Sequence, residues 1–173
     1  MNINYFFLFV SVVLMMILFF FQPKEVTKNK FGDIALFNIS SFTMYEFDSN
    51  GLITLMNGKE ATRYKNRYTV SDIDYTDNSK EYVANMKAKN AIYKNEIVHL
   101  DGDIIYSRED GLIFETQKAT YDKKKSIARV NGEYVVYMEK NRAIGKGLEY
   151  NNSSKKLKTK DVFITYQLNE GKK

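Results

Sequence analysis

Few side chains in this sequence combine a reactive type with a useful spacing. His99 is the only histidine. It alternates out of phase with Val98 and Leu100, so it points outward, away from the partners that acid–base or metal chemistry needs. Gly145 and Gly147 form a G-x-G without the third glycine or the strand-to-helix context of a nucleotide loop. Asp101, Asp103 and Glu115 fall on polar strand phases and suggest no acid–base couple. The tripeptides Asn38-Ile-Ser40 and Asn151-Asn-Ser153 match the glycosylation pattern, which is short and common. There is no cysteine, which excludes disulfides, thiolate metal sites and acylation at cysteine. No catalytic residue, metal ligand or cofactor is expected. What remains is the chemistry of an apolar face. Ile104, Tyr106, Leu112, Phe114, Tyr134 and Val136 share one strand phase. They either fill a closed core or line a slot that takes acyl chains. Both readings are open at this point.

The elements that would carry these residues recur. Ala91 and Tyr93 lead through a polar turn into Val98, Leu100, Gly102, Ile104 and Tyr106. The Arg108–Gly111 turn then returns the chain through Leu112, Phe114 and Thr116 to Ala119 and Tyr121. Apolar residues at every second position, with Asp, Gly and Asn clusters between the runs, predict antiparallel strands joined by hairpins. Val130-Asn-Gly132-Glu-Tyr134 and Gly147-Leu-Glu-Tyr150 continue the order. Upstream, Asn50-Gly51-Leu52-Ile53 through Ala61-Thr62-Arg63-Tyr64 mirrors it. Tyr64, Tyr93, Tyr121 and Tyr150 lie 29, 28 and 29 residues apart, the mark of one supersecondary unit copied along a chain. One hairpin is marginal alone, whereas stacked hairpins bury a continuous face. The expected fold is all-β, an open β-jelly-roll of repeated antiparallel hairpins. An ordinary up-and-down β domain with chance spacing is the alternative.

Turns are expected at Asp48–Gly51, Asn57-Gly58, Asp77–Ser79, Lys94-Asn95, Glu109–Gly111, Asp122–Lys125, Lys140-Asn141 and Asn151–Lys156. The first strand is expected within Ile34–Phe47 and the last from Val162 to Leu168. Met86–Ile92 suits a helix by propensity, but its place in the repeat argues for strand. The charge of +5 comes from 26 Lys and Arg against 21 Asp and Glu, interspersed in sign. That suits a solvated surface and argues against a nucleic-acid partner. Lys123-Lys124-Lys125 and the Lys155–Lys160 run are solvated turns or contacts for anionic groups such as lipid phosphates.

Tyr5–Phe21 carries no charge. As a helix it would be about 26 Å long, a short membrane span. It lacks a basic n-region and a small-x-small exit, so an uncleaved anchor is expected in preference to a signal peptide. The organisation is then an N-terminal anchor over 1–22, a tether over 23–33, a β-jelly-roll over 34–168 and a charged tail over 169–173. Lys24, Lys28 and Lys30 follow the span, which by positive-inside counting alone would leave the domain in the cytoplasm.

Several stretches together resemble the LptC-type proteins of lipopolysaccharide export. They are Tyr45-Glu-Phe-Asp-Ser-Asn-Gly51-Leu52 leading to Ala61-x-x-Tyr64, Leu100-Asp-Gly102-Asp-Ile104, Gly111-Leu112 through Thr116-x-x-Ala119-x-Tyr121, Val130-Asn-Gly132 and Gly147-Leu148-Glu-Tyr150. The resemblance covers nearly the whole chain. It implies a single-pass inner-membrane protein, with one N-terminal transmembrane helix and its C-terminal domain in the periplasm, against the lysine count. It implies no catalysis. It further implies partners: lipopolysaccharide, an inner-membrane ABC transporter of LptB, LptF and LptG type, and a periplasmic LptA-type bridge protein. The six apolar residues would be lipid-binding. Val162, Ile164 and Tyr166 keep one face of the terminal strand apolar, and that strand would pair edge-on with the bridge. The competing reading is a membrane-anchored β-domain adaptor without lipid cargo.

Overall fold

The computed structural model describes residues 3–20, 34–49 and 51–167. The chain divides into two compact units, Met1–Phe31 and Gly32–Lys173. The first holds helix α1, Ile3–Phe20, 18 residues without an ionisable group other than Tyr5. At about 1.5 Å per residue it covers about 27 Å, a little under a hydrocarbon core of about 30 Å. Among the described residues no helix is long and apolar enough to cross a membrane. Phe21, the tether at 23–33 and the tail at 169–173 lie outside the described residues.

The second unit is one antiparallel sheet of nine strands in sequence order. They are β1 (Phe37–Asp48), β2 (Gly51–Arg63), β3 (Tyr68–Asp77), β4 (Ala84–Lys94), β5 (Ile97–Arg108), β6 (Leu112–Asp122), β7 (Ile127–Met138), β8 (Asn141–Asn151) and β9 (Lys156–Thr165). Each strand pairs only with its sequence neighbours, so β1 and β9 do not pair and the sheet stays open. This agrees with an open β-jelly-roll. Met86–Ile92 is strand, within β4.

Most of the expected turns form. Asn57-Gly58 does not, since both residues lie inside β2, where Thr43 pairs Asn57 and Phe42 pairs Gly58. The Phe42 ring covers the bare glycine, and a Cβ there would lie 2.6 Å from it. Asn-Gly marks a hairpin only when a partner does not need the glycine's empty space. The turn actually used is Tyr64–Arg67, closed by Tyr64 N–H donating to Arg67 O at 2.8 Å. Tyr64 therefore sits in a turn, while Tyr93, Tyr121 and Tyr150 sit in strands. Tyr64 follows the end of β2 by one residue, and Arg63 takes the position in register with Tyr68 and Tyr93. β9 starts and ends earlier than expected, so Tyr166 lies just past it and Leu168 outside the described residues.

The strands are long, and several shift their alternation near the middle. In β1 the inward positions run Phe37, Ile39, then Phe42, Met44. In β3 they run Tyr68, Val70, then Ile73, Tyr75. β5 keeps one phase through Val98, Leu100, Ile104 and Tyr106, with its pairing irregular between Asp101 and Ile104. Residues with positive φ mark the slips: Ser41 (51°), Asp72 (48°), Gly102 (84°) with Asp103 (45°), Gly147 (69°) and Asp161 (47°). Pairing is irregular at the same level in β4 to β9. A bulge or left-handed residue bends a strand and re-aims the next side chain. A line of them across a sheet bends the whole sheet. Apolar groups from both sides of the bend then meet in one cluster. Ile73, Ala88 and Ile104 come from one half, and Ala91, with Val70, Leu100 and Ala119, from the other.

Candidate lipid-binding groove

On one side of the bend a row of side chains crosses every strand in direct register. Met44 pairs Met56, which pairs Tyr75, and Tyr75 pairs Met86. The row continues through Tyr106, Phe114, Val136, Ala143 and Ile164. Eight inter-strand steps of about 4.8 Å make it about 38 Å long. A second row on the other side of the bend runs Ile39, Ala61, Val70, Ala91, Leu100, Ala119.

The six apolar residues expected to line a slot come together here. Tyr106, Phe114 and Val136 are consecutive members of the first row. Ile104 and Tyr134 lie beside them next to the bend, 3% and 4% exposed. Leu112 stands at the far margin, paired with Met138. The Phe114 and Tyr134 rings stack at 5.6 Å. Tyr134 crosses the bend, with its hydroxyl 2.5 Å from Thr159 Oγ1. It lies flat on Gly145, its cross-strand partner, and a Cβ at Gly145 would fall 2.3 Å from the phenolic oxygen. Phe42 on Gly58 repeats the device near the other end of the sheet. An aromatic ring over a facing glycine fills the missing side chain and fixes register.

Closed core and open slot can now be told apart. Among the described residues no large side chain is fully buried. Met56, Tyr75, Met86, Tyr106, Phe114 and Val136 are only half-buried. A closed core of this many strands would enclose side chains completely. Burial still pushes the Tyr75 phenol upward from its ordinary pKa, against a hydrogen bond with Thr54 that lowers it. It pushes Tyr106 upward as well, against the Arg108 charge. The row is thus apolar in character yet open along its length. Met44, Met56, Tyr75 and Met86 belong to it but were hidden in the sequence, because their strands change phase at the bend.

Elsewhere the polar residues are structural. Asp103 pairs Lys89 at 2.6 Å and Asp101 pairs Lys118 at 3.1 Å. Asp103 is held below the usual carboxylate range by its hydrogen bonds from Lys89 and Gln117. Glu115 pairs Val135 on the face opposite Phe114, and His99 is exposed. Gly145 and Gly147 lie inside β8. Asn38 Nδ2 donates to Glu60 Oε1 at 2.6 Å and to Thr62 Oγ1 at 2.8 Å. No group of His, Cys, Asp and Glu that could hold a metal occurs among the described residues. A cleft of about 460 Å³ between Glu60 and Asp101 is lined by Thr62, Ser71 and Asn90 together with Val70, Ala91 and Ile92. A second, of about 430 Å³, reaches from Ile104 and Tyr134 to Ile105 and Ile144.

Val162, Ile164 and Tyr166 lie at the far edge, 40%, 64% and 67% exposed. Ile164 ends the first row, Val162 follows the Asp161 bend, and Tyr166 lies beyond β9. β9 pairs with β8 alone, so its other side carries no neighbouring strand.

Fold and groove together define an open-edged antiparallel β protein with a solvent-accessible apolar face. Residues 7–166 match the family model described as "Lipopolysaccharide-assembly, LptC-related", and the chain belongs to that family. Its role is therefore in lipopolysaccharide transport, in a family of transport proteins and not of enzymes. No curated protein matches the chain.

Proposed function

We propose that this protein accepts lipopolysaccharide from an inner-membrane ABC extractor and hands it to a periplasmic bridge protein of similar fold. The observation that carries the reading is the apolar row from Met44 to Ile164, half-buried along its middle, exposed at its two ends and open at both sheet edges. Apolar surface left in water gains about 25 cal/mol per Å² when an acyl chain covers it. Methionines at four points of the groove margin and floor suit a ligand of variable chain shape. Ile104, Tyr106, Leu112, Phe114, Tyr134 and Val136 contact the acyl chains. Val162, Ile164 and Tyr166 mark the edge that the bridge protein extends by strand addition.

The N-terminal segment Tyr5–Phe21, only part of which lies in the described α1, tethers the domain to the inner membrane as a single pass, with the domain in the periplasm. The described apolar side chains of α1, Tyr5, Phe6, Val10 and Val12 to Met16, are exposed, and exposed apolar helix surface suits lipid. Mass spectrometry of membrane-extracted protein should find Tyr5–Phe21 intact, whereas a mature form starting near Pro23 would remove the anchor. For the groove, a photo-crosslinking residue at Phe114 should label with lipopolysaccharide, and the same probe at Glu115 should not. Labelling at Glu115 alone reverses the face. Labelling at neither, with bridge binding intact, favours an adaptor without lipid cargo.

A further inference from the structure

The turns at the two ends of the strands differ in charge. At one end lie the β2–β3, β4–β5, β6–β7 and β8–β9 connections. They carry Arg63, Lys65 and Arg67, then Lys94, then Lys123-Lys124-Lys125, then Lys155 and Lys156. Among the described residues only Glu96 and Asp122 oppose them, Asp122 holding Lys125 at 3.8 Å. At the other end Asp48, Asp77, Glu81, Glu109, Asp110 and Glu139 outnumber Lys80, Arg108 and Lys140. Two of those three cations are held by their own turns, Arg108 by Asp110 and Lys80 by Asp77 at 3.4 Å. One long margin of the groove is thus basic and the other acidic.

The inner face is graded toward the basic margin. Beyond the Ile39–Ala119 row comes a register row in which Tyr68 pairs Tyr93, and which passes on through Tyr121 to Tyr150. Tyr68 and Tyr93 rings approach to 6.2 Å. Cations from the turns lean over them, Arg63 over Tyr68 at 5.5 Å and Lys123 over Tyr93 at 5.4 Å. Passing outward, the surface changes from aliphatic to tyrosine to lysine and arginine. Tyrosine prefers the boundary between an apolar and a wet phase. The acidic margin has no such tyrosine row: Thr54, Asp77, Ala84 and Arg108 occupy the corresponding positions.

We propose that the groove holds its amphiphile in one orientation, with the phosphates of the ligand's own headgroup on the basic turns and its acyl chains inward of the tyrosines. This rests on the lipid-binding function proposed above and adds a direction to it. Charge complementarity supplies the argument, since ammonium and guanidinium groups form their strongest hydrogen bonds with phosphate oxygens. The acidic margin repels the same headgroup, so the reversed pose is disfavoured from both sides.

The experiment uses the full chain in a neutral detergent, with bisphosphorylated lipid A and its dephosphorylated analogue as probes. Lys65→Glu, Lys94→Glu and Lys124→Glu are combined in one variant, all at exposed positions in or beside the turns. Glu81→Lys, Glu109→Lys and Glu139→Lys, also exposed, are combined in a second. The first variant should bind the bisphosphorylated lipid at least tenfold more weakly at low salt and keep its affinity for the analogue. Its loss should shrink as salt rises, because exposed charges are screened. The second variant should lose nothing for either lipid. Equal loss for both lipids, an equal loss in the second variant, or no loss at all overturns the orientation. Failure of the unaltered chain to bind either lipid overturns the lipid reading itself, so the two failures are distinct.

Discussion

Replacing Gly145 with alanine tests whether the Tyr134 ring is what holds the groove floor at its β7–β8 end. In a strand, alanine ordinarily stabilises relative to glycine by about 0.5–1 kcal/mol, because glycine loses more backbone freedom on folding. Here the added Cβ would stand 2.3 Å from Tyr134 Oη and 2.5 Å from Cζ. The ring must swing away. It would give up the contact with Thr159, worth about 1 kcal/mol, and the stacking on Phe114, worth about 0.5–1.5 kcal/mol. Net destabilisation of about 0.5–2 kcal/mol is expected once the backbone gain is subtracted. For a sheet of this size that lowers Tm by about 2–8 °C. Thermal melts followed by circular dichroism measure it, with Tyr134→Ala as the second arm of a double-mutant cycle. In the Tyr134→Ala background the Gly145→Ala change should become neutral or stabilising. A single Gly145→Ala variant that melts at or above the unaltered protein would refute the packing argument.

Gly102→Val should cost about 2 kcal/mol or more, read by denaturant unfolding, because φ is +84° there and a Cβ meets Lys89 Cβ at 2.9 Å. Alkaline titration of tyrosinate absorbance should show Tyr75 and Tyr106 ionising above the usual phenol range, and Phe substitution at each should remove that late component. Because both folded-state values are raised, their contribution to stability is complete below about pH 10 and is lost as pH rises through the folded values. A flat stability profile through that window would contradict the burial of these phenols. Deleting Val162–Lys173 should abolish binding to the bridge protein while lipid capture persists. Retained bridge binding would rule out β9 as the pairing edge, and loss of both would indicate misfolding.

The sequence alone determined the strand content, the hairpin order and most of the turns, because these depend on neighbours two to five residues apart. Alternation at Val98–Tyr106 and Leu112–Thr116 reads directly as one face, and Asp110-Gly111 reads directly as a turn. That Ile104, Tyr106, Leu112, Phe114, Tyr134 and Val136 share a face was legible for the same reason, since they lie on strands whose phase is simple to follow. The tertiary structure decided what depends on contacts between strands. Asn57-Gly58 is strand because the Phe42 ring needs the space above Gly58. Tyr64 leaves the tyrosine period because register places Arg63 and Tyr68 opposite each other. Met44, Met56, Tyr75 and Met86 join the groove because left-handed and bulged residues shift the inward phase at the bend, an event that a period-two pattern cannot record. Whether the apolar face closes or stays open was decided only by β1 and β9 remaining apart, since closure is a property of the two ends of the sheet and no local stretch of sequence carries it.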